Sequence, residues 1–89
     1  MTPSDNAIRA ALLALAQARG VGKSFCPSEA ARDLSDDWRA LMPAIRAVAS
    51  DLQSEGLLVA TQRGRTVHPE HARGPIRLAL ASGPERPLP

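Results

Sequence analysis

Trp38, Leu41, Met42, Ile45, Val48, Ala49 and Leu52 recur at the three- and four-residue spacing that keeps one face of a helix apolar, the strongest periodic signal in the chain. The stripe predicts a helix from about Asp37 to Glu55, closed by Ser54-Glu55-Gly56 with glycine where left-handed geometry is wanted. Pro43 lies inside it. A proline there removes a hydrogen bond and crowds the preceding turn, so the pattern predicts a kink or a fresh start at that residue. Upstream, Ile8, Ala11, Leu12, Leu15 and Ala18 form one apolar face behind the capping residues Asp5 and Asn6, and Arg19-Gly20-Val21-Gly22 ends that first helix. Between the two, Cys26 stands at an N-cap, Pro27 at the first helical position and Glu29 three residues past the cap. This weakened capping box opens a short helix to about Leu34, with Ala30, Ala31 and Leu34 inward, and Ser35-Asp36-Asp37 turns into the long helix.

Beyond Gly56 the period falls to two. Leu57 to Gln62 alternates as a strand, Arg63-Gly64-Arg65 reads as a turn, and Thr66 to Arg73 as a short return strand and loop. After Gly74-Pro75, Ile76, Leu78 and Leu80 share one face of a last strand, and Lys23 to Phe25 forms a short extended piece between the first two helices. The order is helix, strand, helix, helix, strand, wing, strand. It predicts a winged helix-turn-helix, mainly α with a small antiparallel β-sheet, as a single domain over residues 5–81. Residues 82–89 hold three prolines and little to bury, which predicts a flexible tail.

Composition narrows this picture. With 44% hydrophobic residues but only Phe25 and Trp38 as aromatics, the core must be built from Ala, Leu, Val and Ile, with Trp38 as its one large anchor. The lone Cys26 forms no internal disulfide, and the residues after Met1 are polar, which together predict a cytoplasmic protein. The longest apolar run, Ala10 to Ala16, is far short of the roughly 20 residues that cross a bilayer, so no membrane span is expected.

The net charge of +2 implies no partner by itself, but its distribution is uneven. Residues 57–89 carry Arg63, Arg65, Arg73, Arg77 and Arg86 against only Glu70 and Glu85, whereas the acids concentrate before Gly56. Ten of the eleven basic residues are arginine, which suits forked contacts to phosphate or carboxylate and equally fits a biased codon usage.

Four segments carry a family likeness: Gly22 to Arg32, Asp37 to Arg46, Thr61-Gln62-Arg63-Gly64 and Gly74-Pro75-Ile76-Arg77-Leu78. In this order they resemble the small bacterial proteins grouped as domain of unknown function 3253, over roughly residues 6–80. The resemblance implies a winged-helix-like fold in a bacterial cytosol and implies no activity.

Function then rests on the residues. Arg39 and Arg46 lie seven positions apart on the third helix, about 20 degrees apart around its axis. With Pro43, Ala47 and Ser50 they make a small-residue face suited to a DNA groove. The structural alternative pairs Arg39 with Asp36 or Glu29, and Arg46 with Asp51 or with nothing. Arg63 and Arg65 flank Gly64 at the wing tip, where they reach a minor groove or straddle phosphates; the alternative is a solvated tip. Lys23 and Ser24 precede the amides that open the second helix, a partial positive site for phosphate. The expected DNA contacts are therefore Lys23, Arg39, Arg46, Ser50, Arg63 and Arg65. Gln62, Arg73 and Arg77 are less specific, with Arg77 expected to keep the sheet face solvated.

Gly20 to Ser24 superficially resembles the end of a P-loop but lacks the first glycine at the required spacing, and Phe25-Cys26-Pro27 interrupts the helix that should follow. Cys26 is read as cap and packing, with a reactive thiol as the weaker alternative. Cys26, His68 and His71 have no paired-cysteine spacing, so neither metal nor cofactor is expected, and the carboxylates form no catalytic set. The expected function is weakly specific binding of double-stranded DNA in a transcription or nucleoid setting, without enzymatic activity. A homodimer would supply more contacts. The alternative is a protein-interaction module on the same scaffold, favoured if Asp33, Asp36 and Asp37 border the third helix's outer face and repel a DNA backbone.

Overall fold

The computed structural model describes residues 3–81, so the expected tail at 82–89 lies outside the described residues. Three helices, α1 (Asp5–Arg19), α2 (Pro27–Leu34) and α3 (Trp38–Ser54), precede three strands, β1 (Leu58–Gln62), β2 (Arg65–Thr66) and β3 (Arg77–Leu80). The strands form one antiparallel sheet in the order β2-β1-β3. This is a winged-helix-like arrangement.

Local chemistry sets each boundary. Ser4, not Asp5 or Asn6, caps α1: its hydroxyl accepts from the Ala7 amide at 3.1 Å, and Asp5 becomes the first helical residue. Cys26 caps α2, with the Glu29 carboxylate accepting from the Cys26 amide at 3.1 Å. The Ser35 hydroxyl accepts from the Asp37 amide at 3.0 Å and shapes the turn into α3. At the end of α3, Gly56 takes a φ of 81° while its amide bonds to the Gln53 carbonyl and that of Leu57 to the Leu52 carbonyl. That pair of bonds is the Schellman closure, which satisfies carbonyls the helix would otherwise leave open.

Of the two outcomes expected at Pro43, a fresh start is excluded: α3 continues through it as one helix. Arg39 and Pro43 both lie on the exposed side, where water replaces the donor that proline lacks.

The core is aliphatic. Ile8, Leu12 and Ala16 of α1 and Leu41, Ile45, Val48, Ala49 and Leu52 of α3 close over Leu58, Ala60 and Leu78 of the sheet. Its largest fully buried side chain is Phe25, which also exchanges two 2.8 Å backbone bonds with Leu78 and so adds a one-residue strand beside β3. Trp38 is half-buried at the start of α3, so the expectation that it anchors the core is corrected in favour of Phe25.

Candidate nucleic-acid interface

Two surfaces bear on the expected interface: the outer face of α3, and the wing formed by β1, β2 and the loop that leads to β3. The α3 surface is poorer in available cations than its sequence implied. At its start Trp38 lies between two guanidinium groups, that of Arg32 4.5 Å and that of Arg39 4.4 Å from the ring centroid. Arg39 is therefore spent on an aromatic face, not on Asp36 or Glu29. Such cation–π contacts are worth about 0.5–1 kcal/mol at exposed sites.

Arg46 turns away from the expected groove face. Its guanidinium donates to the carbonyls of Pro69 at 3.2 Å, Ala72 at 2.8 Å and Gly74 at 2.7 Å. A fork committed to three carbonyls has little left for a base edge, so Arg46 is a brace between α3 and the loop. Ser50 is likewise engaged, 3.3 Å from Nε2 of His68. Nδ1 of His68 accepts from the Glu70 amide at 3.2 Å, which turns Nε2 toward the Ser50 hydroxyl. The His68 and His71 rings stack at 4.0 Å.

The wing differs. Its two-residue turn places Arg63 at φ 54° and Gly64 at φ 82°, between the paired residues Gln62 and Arg65. Positive φ at both central positions matches the twist of the flanking strands, but a left-handed arginine costs about 1–2 kcal/mol relative to glycine. Arg63 and Arg65 are exposed. Arg73 joins them because Gln62 Nε2 donates to the carbonyls of Arg73 and, at 3.0 Å, Pro75, which draws the loop against the end of β1. Gln62, Arg63, Arg73, Gly74 and Pro75 then line an open cleft of about 510 Å³. Lys23 is exposed in the turn before Phe25. Among the described residues, the side chains of Lys23, Arg63, Arg65 and Arg73 enter no ion pair.

The acids divide in two. Glu29 pairs with Arg19, and Glu55 with Arg9 across from α3 to α1. The Cys26 amide, with the Arg19 guanidinium behind it, holds the Glu29 carboxyl below the usual carboxylate range, and Arg9 does the same for Glu55. Asp33, Asp36 and Asp37 stay exposed around the α2–α3 turn. Negative charge thus gathers at the start of α3 and positive charge at the wing, with Glu70 exposed in the loop that carries Arg73.

Arg77 is exposed, as expected, and in addition clamps β3 to the segment before α2: Nε donates to the Ser24 hydroxyl at 3.0 Å and a terminal nitrogen to the Ser24 carbonyl at 3.0 Å. Cys26, half-buried at the α2 cap, lies 3.5 Å from the same guanidinium and lines a second cleft of about 220 Å³ with Pro27, Trp38, Met42 and Ile76 among its walls. Among the described residues no three His, Cys, Asp or Glu side chains converge as a metal set, and no helix is long and apolar enough to cross a membrane.

Sequence spacing ranked Gln62 and Arg73 among the less specific candidates, because the loop from Val67 to Ile76 has no periodicity and takes its path from bonds to Arg46, Gln53 and Gln62. A family described as Protein of unknown function (DUF3253) matches residues 5–81. No curated protein matches the chain.

Proposed function

From the premise that the chain belongs, over residues 5–81, to the DUF3253 family of proteins of unknown function, we propose a sequence-tolerant DNA-binding module that grips the duplex backbone through its wing. The observation that carries this reading is the grouping of exposed Arg63, Arg65 and Arg73 around one hairpin, with no ion pair among the described residues. Phosphate contacts supply affinity without sequence information, and guanidinium forks suit phosphate oxygens. Lys23 serves as a flanking phosphate contact, while Arg39, expected beside it, stays on the Trp38 ring. Arg46 and Ser50 contribute by holding the loop that carries Arg73. With α3 bordered by Asp36 and Asp37, little direct base reading is proposed, and a homodimer would double the phosphate contacts. The role is binding, not catalysis, in a transcription-related setting; the single cysteine fits a reducing bacterial cytoplasm.

The test is a fluorescence-anisotropy titration of a labelled duplex of about 30 base pairs at several salt concentrations. Three wing arginines and Lys23 on phosphate give a log–log salt slope of magnitude about 3 to 4, at about 0.9 per phosphate. A flat salt dependence would contradict the reading.

A second reading, a protein-interaction module, is favoured by the apolar cleft walled by Pro27, Trp38, Met42 and Ile76. It predicts that substitutions of Met42, and not of the wing arginines, abolish the protein's biological effect.

A further inference from the structure

We infer that the cleft between the wing tip and the loop at Arg73 seats one phosphate group, held between the guanidinium groups of Arg63 and Arg73. Its walls are Gln62, Arg63, Arg73, Gly74 and Pro75, two cations with no acid among them. Both cations spring from fixed backbone. Arg63 is set in the left-handed region at φ 54° by the hairpin turn. The Arg73 backbone is held by Gln62 on its own carbonyl and by Arg46 on the carbonyls of Ala72 and Gly74 on either side.

This bracing leaves the side chains of Arg63 and Arg73 as the polar groups that can turn into the cleft, since the amide nitrogen of Gln62 is already spent on the carbonyls of Arg73 and Pro75. Gly74 takes a φ of 85° where the loop turns past Gln62, a conformation that favours glycine. Two guanidinium forks bordering one space suit an anion with several oxygens, and the cleft of about 510 Å³ admits a phosphate with the sugar or ester attached to it. Arg65 does not line it. That difference separates a built seat from general positive charge on the wing.

A phosphate in this seat belongs either to a nucleic-acid backbone, in which case the inference rests on the DNA-binding reading, or to a soluble phosphate compound. The experiment follows the backbone amides of Gln62 and Gly74 and the side-chain Nε signals of Arg63 and Arg73 by NMR during separate titrations with inorganic phosphate and with duplex. Saturable shifts at these positions with either probe, the inorganic-phosphate shifts weakened about tenfold by Arg63→Gln and by Arg73→Gln but not by Arg65→Gln, support the seat. Displacement of phosphate by duplex assigns the seat to the backbone; phosphate binding without any duplex binding keeps the seat and removes the DNA reading. Cleft signals that stay still for both probes, or phosphate shifts that all three variants weaken equally, overturn the seat, and duplex binding alongside either result leaves the DNA reading standing.

Discussion

The Arg46 guanidinium, rooted on α3, donates to the Ala72 carbonyl at 2.8 Å in the loop that follows the wing. With its bonds to the Pro69 and Gly74 carbonyls it holds that loop by its backbone. Arg46→Ala leaves three carbonyls short of a donor and is expected to cost about 2 kcal/mol, given about 1.5–3 kcal/mol for charged hydrogen bonds and partial replacement by water. Urea unfolding measures the loss, and amide exchange should accelerate first in residues 68–74. Arg46→Lys recovers little, because a point charge cannot span what a fork spans.

Phe25 has no exposed surface, while Trp38 is half-buried beneath two arginines. Phe25→Ala is expected to cost about 3–5 kcal/mol and to abolish a cooperative thermal transition in a domain this small. Trp38→Ala should cost less. Because Trp38 is the sole tryptophan, its emission reports the clamp directly: Arg32→Ala or Arg39→Ala shifts it to the red while lowering stability by about 1 kcal/mol or less.

Glu29 and Glu55 are held below the usual carboxylate range in the folded chain, Glu29 by the Cys26 amide and then Arg19, Glu55 by Arg9. A depressed folded value means that unfolding takes up protons as the solution is acidified. The stabilisation is therefore complete above the ordinary glutamate range and is lost as pH falls through the depressed values. Urea midpoints should fall between neutrality and about pH 3, and the fall should flatten in Glu29→Gln and Glu55→Gln. An equal pH dependence in both variants and the parent would contradict this.

Arg63 occupies a left-handed position that asparagine or glycine fills at less cost. Arg63→Asn is expected to raise stability by about 0.5–1 kcal/mol and to weaken duplex binding at the same time. A turn kept for folding alone would show no such opposition, and thermal melts beside anisotropy titrations measure both sides of it.

The three helices and the hairpin were legible because each is written in a local signal: the stripe from Trp38 to Leu52, the Pro27 and Glu29 start of α2, the alternation from Leu57, and Gly64 at the turn. Ser4 was passed over because Asp5 and Asn6 are equally good caps, and only the helix's phase decides among them. The exposure of Arg63 and Arg65 follows from the turn itself. The role of Arg46 does not. Its position gives its angle around α3, but a long side chain can bend toward any carbonyl in reach, and those carbonyls lie more than twenty residues on, in a loop without period. Arg73 was obscured for the same reason.

The most direct test of the central claim compares two double variants in duplex titrations at low salt: Arg63→Gln with Arg65→Gln in the wing, and Arg39→Gln with Ser50→Ala on α3. The account predicts that the wing variant loses at least about tenfold in affinity and nearly two phosphates' worth of salt slope, about 0.9 each, while the helix variant stays within about threefold of the parent. A parent protein that fails to bind duplex up to about 100 micromolar, or a wing variant that binds as the parent does, would contradict it.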